Sequence, residues 1–74
     1  MAPNDDPEAA AGLFEGAAEE LKQAAAHCRT AARHLRDREV PRGASHAWAA
    51  LGHIRTAETS LDKQARAHAS KSNP

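Results

Sequence analysis

Phe14, Leu21, Cys28 and Leu35 recur every seven residues, and Ala11, Ala18, Ala25 and Ala32 each stand three places before one of them. Steps of three and four are the mark of a helix that buries a single stripe, here with alanine at every a position of a heptad and a larger side chain at every d. Ala17, Ala24 and Ala31 widen the same face. The pattern predicts one long helix over residues 7–39. So smooth a coiled-coil seam lets a second helix approach closely, but it buries little area per residue. The start is well marked. Asp6 stands where an N-cap belongs, Pro7 at the first helical position and Glu8 in the first turn, where a negative charge suits the helix dipole.

Val40-Pro41-Arg42-Gly43 then predicts a reversal, because proline disfavours the helical region for the residue before it and glycine permits a turn. The expected order is a helix over 7–39, a turn over 40–44 and a helix over 45–69 with Ser45 as its N-cap, a start near Arg42 being the alternative. Residues 1–5 are expected to be disordered and 71–74 to form a frayed tail. The second helix carries an apolar stripe in which Leu51, Ile54 and Leu61 are the expected core of the hairpin. At about 1.5 Å per residue the two helices would measure roughly 50 and roughly 39 Å, an uneven hairpin.

The chain has 74 residues, with one Phe, one Trp and no Tyr. A core so poor in bulky side chains needs reinforcement. A single cysteine provides no disulfide within the chain, which leaves self-association. The expected fold is therefore all-α: an antiparallel two-helix hairpin that dimerises into a four-helix bundle. Ala11, Phe14, Ala18, Leu21, Ala25, Cys28, Ala32 and Leu35 form its dimer seam.

Charge sharpens that picture. Glu8, Glu15, Glu19, Lys22, Arg29, Arg33 and Arg36 share one face of the first helix, beside the seam, and the sign inverts near its middle. Each end complements the helix dipole. An antiparallel pairing of this helix with its own copy also sets Glu8 opposite Arg36 and Glu15 opposite Arg29, as a two-fold interface requires. Over the whole chain ten basic and ten acidic residues cancel, so no global field draws it to nucleic acid or membrane. No apolar run approaches the roughly 18 residues of a membrane span, and the N-terminal residues lack a signal pattern. A cytoplasmic location is expected.

Candidate chemistry is sparse. His27 and His34 are seven apart, as are His46 and His53, a separation of about 10.5 Å along a helix and too long for one metal ion. His27 and His34 are expected on the outer face. His46 and His53 are expected to flank the seam of the second helix, where protonation would weaken assembly. Cys28, on the seam, is expected to be buried and inert. No pairing of nucleophile and base points to an enzyme, and neither a cofactor nor a metal is expected. Trp48 is expected to cover the edge of the core near the turn, or else to serve as an exposed anchor for a partner. Trp48-Ala49-Ala50-Leu51-Gly52 resembles the opening of a tetratricopeptide repeat. Arg55 stands where that pattern has tyrosine, and no second repeat follows. The sequence thus points to a non-enzymatic homodimer, an adaptor or regulator that binds another macromolecule. The alternative is a DNA- or RNA-binding accessory protein using Arg29, Arg33, Arg36, Arg38 and Arg42.

Overall fold

The computed structural model describes residues 6–71, so the expectations for 1–5 and for 72–74 lie outside the described residues. Two helices, α1 (Pro7–Arg36) and α2 (Val40–Lys71), pack against each other as a hairpin. There is no strand among the described residues. The first helix starts as its sequence dictates: Asp6 is extended, and its Oδ1 accepts from the Glu8 amide at 3.1 Å. That bond satisfies one of the orphan donors of the first turn.

The reversal differs from the sequence expectation. α1 ends at Arg36 rather than residue 39, and α2 begins at Val40 rather than 45. The chain turns through Asp37, Arg38 and Glu39. Arg38 adopts the left-handed conformation (φ 66°). Its amide donates to the Leu35 carbonyl (3.0 Å) and the Glu39 amide donates to the His34 carbonyl (2.8 Å), closing the helix end. Glycine usually occupies this position, and arginine gives no sequence signal for it. Pro41 does not stop α1. It lies in the first turn of α2, where a missing amide hydrogen costs nothing. Gly43 is helical and buried, not a turn residue, and Ser45 lies inside the helix instead of capping it. Lys71, placed in the frayed tail by the sequence reading, is the last helical residue. With 30 and 32 residues, the helices are nearly equal in length, so the hairpin is even and not lopsided.

The seam of the hairpin is made of small residues. Ala17, Ala24 and Ala31 on α1 and Gly43, Ala50 and Ala57 on α2 are its buried positions, seven residues apart in both helices. Gly43 approaches Ala31: a Cβ built on it would come within 3.3 Å of the Ala31 carbonyl oxygen. In an antiparallel pair that register sets Ala24 level with Ala50 and Ala17 level with Ala57. Leu51, Ile54 and Leu61 are not this core. Leu51 is half-buried, and Ile54 and Leu61 remain 37% and 39% exposed. Helices so close have no room for branched side chains on the line between them, so the larger residues fall to the sides.

The result is a slab. Its Cα extents are 52 × 25 × 12 Å, and its radius of gyration is 16.5 Å, against about 11 Å for a compact chain of this length. A thickness of 12 Å is about one helix diameter. Domains normally enclose a core between two layers. This chain supplies one.

Candidate functional site

Helical geometry gives the slab two different faces. Phe14, Leu21, Cys28 and Leu35 sit about 40° round α1 from the buried alanines, four residues at about 100° each. Ala47, Ile54 and Leu61 hold the same offset from Gly43, Ala50 and Ala57 on α2, as does Val40 one heptad earlier. In an antiparallel pair, equal offsets fall on the same face. The two ranks therefore form one apolar surface, with Leu35 leaning over Gly43. Phe14, Leu21 and Leu35 are 46–51% exposed, and Val40 is 60% exposed. Ala11 and Ala18 beside them are exposed, Ala25 and Ala32 half-buried. The eight residues read as a seam thus share a face, but α2 does not cover it.

Cys28 belongs to this surface and is exposed in the single hairpin; its expected burial belongs to the dimer seam. The seam within the hairpin runs through the alanines four residues before each large side chain. Trp48 does not cover the core edge. It is 71% exposed on the outward side of α2, about 160° from the seam.

The charged stripe of α1 occupies the matching outward side. Glu8, Glu15, Glu19, Lys22, Arg29, Arg33 and Arg36 are all exposed. Arg29, Arg33 and Arg36 approach the turn that carries Arg38, while Arg42 pairs with Glu39 at 2.9 Å. On the outward side of α2, Arg66 Nε donates to Asp62 Oδ2 at 2.6 Å. That hydrogen bond and the charge of Asp62 hold the guanidinium above its ordinary pKa. Both partners are one helical turn apart, so the pair is local to α2.

The opposite face of the slab holds what the sequence reading scattered. Glu20, His27 and His34 stand three residues after Ala17, Ala24 and Ala31. His46 and His53 stand three after Gly43 and Ala50. All five are half-buried, and they meet. His27 Nδ1 lies 3.0 Å from His46 Nδ1. The His27 ring stacks on His53 with centroids 5.4 Å apart, and the His34 ring stacks on His46, also at 5.4 Å. Glu20 Oε2 accepts from His53 Nδ1 at 2.5 Å, and Glu39 Oε2 lies 3.6 Å from His34 Nδ1. The order along the face is Glu20, His53, His27, His46, His34, Glu39, with a carboxylate at each end.

His27 and His34 are therefore not outer-face residues. The available signal was phase: both histidine pairs keep the seven-residue step of the buried small residues and follow them by three. Counting within each helix alone hides the convergence, since imidazoles 10.5 Å apart on one helix interleave with those of the other. Among the described residues no group of three or more His, Cys, Asp or Glu is disposed to hold a metal ion. No described helix is long and apolar enough to cross a membrane.

Comparison with models of known protein families, with curated proteins and with solved structures finds no match to this chain.

Proposed function

We propose that the chain is a small helical interaction protein that works as a homodimer. Two hairpins stack their apolar faces into a four-helix bundle, and the assembly acts by binding another macromolecule. The observation that carries this reading is the inversion of burial. Among the described residues the buried side chains are alanines, while seven large apolar side chains stay 37–71% exposed. A slab face of 52 × 25 Å presents about 1,300 Å², more than the roughly 800 Å² each partner contributes to an ordinary stable interface. The sign inversion along α1 supports a second copy of the same chain as the occupant, because the two-fold pairing of Glu8 with Arg36 and Glu15 with Arg29 needs no other protein. Trp48, 71% exposed on α2, is the proposed anchor for the partner.

Sedimentation velocity at micromolar concentration tests the assembly. The expected species has twice the 7.9 kDa chain mass, and Leu21→Glu, which sets a charge in the middle of the face, gives the monomer. A folded, heat-resistant wild-type monomer would retire the reading. The alternative draws on the grouping of Arg29, Arg33, Arg36 and Arg38 at the turn end of the slab. A gel shift at low salt that disappears on joint replacement of Arg33 and Arg36 would favour DNA or RNA as the partner. No shift at low salt removes that alternative.

A further inference from the structure

We infer that the imidazole row is a proton-counting latch: the closed hairpin accepts three protons along it, one at each end and one shared by the middle pair, and is forced open by the fourth. The inference rests on the seam between α1 and α2 and is independent of the proposed dimer, whose apolar surface is the other face of the slab. The row has four imidazoles and two carboxylates. At its ends, protonated His53 and His34 meet Glu20 and Glu39, so two positive charges are balanced where they stand. The middle differs. A hydrogen bond between His27 Nδ1 and His46 Nδ1 at 3.0 Å needs a hydrogen on one nitrogen and a lone pair on the other. When both rings are imidazolium, two N–H groups face each other at that distance. Their neighbours on either side are the stacked rings of His53 and His34, and no third carboxylate stands in the row.

The groups that face the row are few. Among the described residues α1 contributes Glu20, His27 and His34, the turn contributes Glu39, and α2 contributes His46, His53 and, through its contact with Glu39, Arg42. Along the open edge of the row Gln23, Thr30, Ala49 and Thr56 are uncharged, and Asp37, three residues after His34 in the turn, adds an exposed carboxylate at that end. Arg42 already draws on Glu39 and tightens the limit at the turn end. The unfolded chain takes a proton on each histidine without this conflict. At mildly acid pH it therefore binds more protons than the closed hairpin, and stability falls as pH falls.

The test is the melting temperature of the full chain, followed by circular dichroism between pH 7.5 and 5.2 with EDTA present, with sedimentation at each pH. The wild type is expected to lose at least about 5 °C across that range, the scale of a 1 kcal/mol change in a chain of this size. His27→Gln/His46→Gln, which keeps hydrogen-bonding groups but takes no proton, is expected to lose less than about 2 °C. Should the double variant not fold, calorimetry of the wild type in buffers of different ionisation enthalpy counts protons directly, and net uptake on unfolding at pH 5.2 is expected. A flat wild-type profile, an unchanged acid limb in the double variant, or no net uptake overturns the latch. So does a loss of dimer mass in acid with the melting temperature unmoved. If EDTA alone lowers the melting temperature at pH 7.5, a metal rather than the proton count holds the row closed, and the inference fails.

Discussion

Replacing Gly43 with alanine measures how closely the two helices meet. In an open helix this change stabilises by up to about 1 kcal/mol, because alanine restricts the unfolded chain and suits the helix. At Gly43 the new Cβ would lie 2.7 Å from Leu35 Cγ, 2.8 Å from Leu35 Cδ2 and 3.3 Å from the Ala31 carbonyl oxygen. Carbon atoms settle at about 3.5–4.0 Å, so Leu35 must retreat by about 0.8 Å or more. Leu35 is 49% exposed and can swing outward, at a rotamer cost of about 0.5–1.5 kcal/mol. The two terms nearly cancel, and Gly43→Ala is expected to change stability by no more than about 0.5 kcal/mol. Leu35→Ala removes both crowding atoms and leaves only the carbonyl contact, which needs a shift of a few tenths of an ångström. In that background Gly43→Ala is expected to recover most of its helical gain, a coupling of about 0.5–1.5 kcal/mol. Gly52→Ala supplies the reference, since a Cβ there meets nothing within 4 Å; it should raise the melting temperature by about 4–8 °C. Urea unfolding at one fixed protein concentration reads all four variants. If Gly43→Ala stabilises the wild type as much as Gly52→Ala does, Leu35 does not close over Gly43, and the tight seam is wrong.

The turn and the apolar face make further predictions. Arg38→Gly should stabilise by about 0.5–1 kcal/mol, because glycine enters the left-handed conformation at φ 66° without the strain of a Cβ; an unchanged urea midpoint would count against that conformation. Cys28 should react slowly with a thiol reagent in the proposed dimer and several-fold faster in the Leu21→Glu monomer. With α1 paired about its own midpoint near Lys22, the two Cys28 side chains lie about 18 Å apart along the axis. Mild oxidant should therefore produce no cross-linked dimer, and efficient cross-linking would exclude that register.

The helix start was legible because Asp6, Pro7 and Glu8 each act locally, through a side-chain bond, a fixed φ and a charge. The antiparallel hairpin was legible for a similar reason: two alanine-rich amphipathic runs with a short break admit little else. The boundary at the turn was not. Pro41 and Gly43 fit either a turn or a helix, and Arg38, the residue that makes the reversal, is of a type that rarely does so. Periodicity also left the seam ambiguous by one step round the helix. Ala17, Ala24 and Ala31 and the rank of Phe14, Leu21, Cys28 and Leu35 share the period of seven, so hydrophobic size favoured the second rank while backbone proximity selected the first. That single shift moved Ile54 outward from the expected hairpin core and drew His27 and His34 inward to meet His46 and His53.

The turn accounts for that choice. A three-residue connection, closed by the Arg38 and Glu39 amides on the last carbonyls of α1, starts α2 almost against the end of α1. Interaxial distance in helix pairs follows the side chains at the contact, from about 8 Å upward. Here the turn fixes the approach first and the side chains must comply. Gly43 is the first contact after the turn, and anything larger meets Leu35 and the Ala31 carbonyl. From that point the seven-residue step carries the seam through Ala50 and Ala57. The close approach satisfies the backbones but encloses little apolar area, because alanine has little to bury. The same helical phase that puts alanine on the line between the axes puts Phe14, Leu21, Leu35, Ile54 and Leu61 together on one side and the histidines on the other. A longer, looser turn would let the leucine rank face inward and would leave a self-sufficient hairpin with no apolar face to cover. The shortness of the turn is thus what sends the bulky side chains outward, and in the proposed dimer a second copy is the place where they are buried.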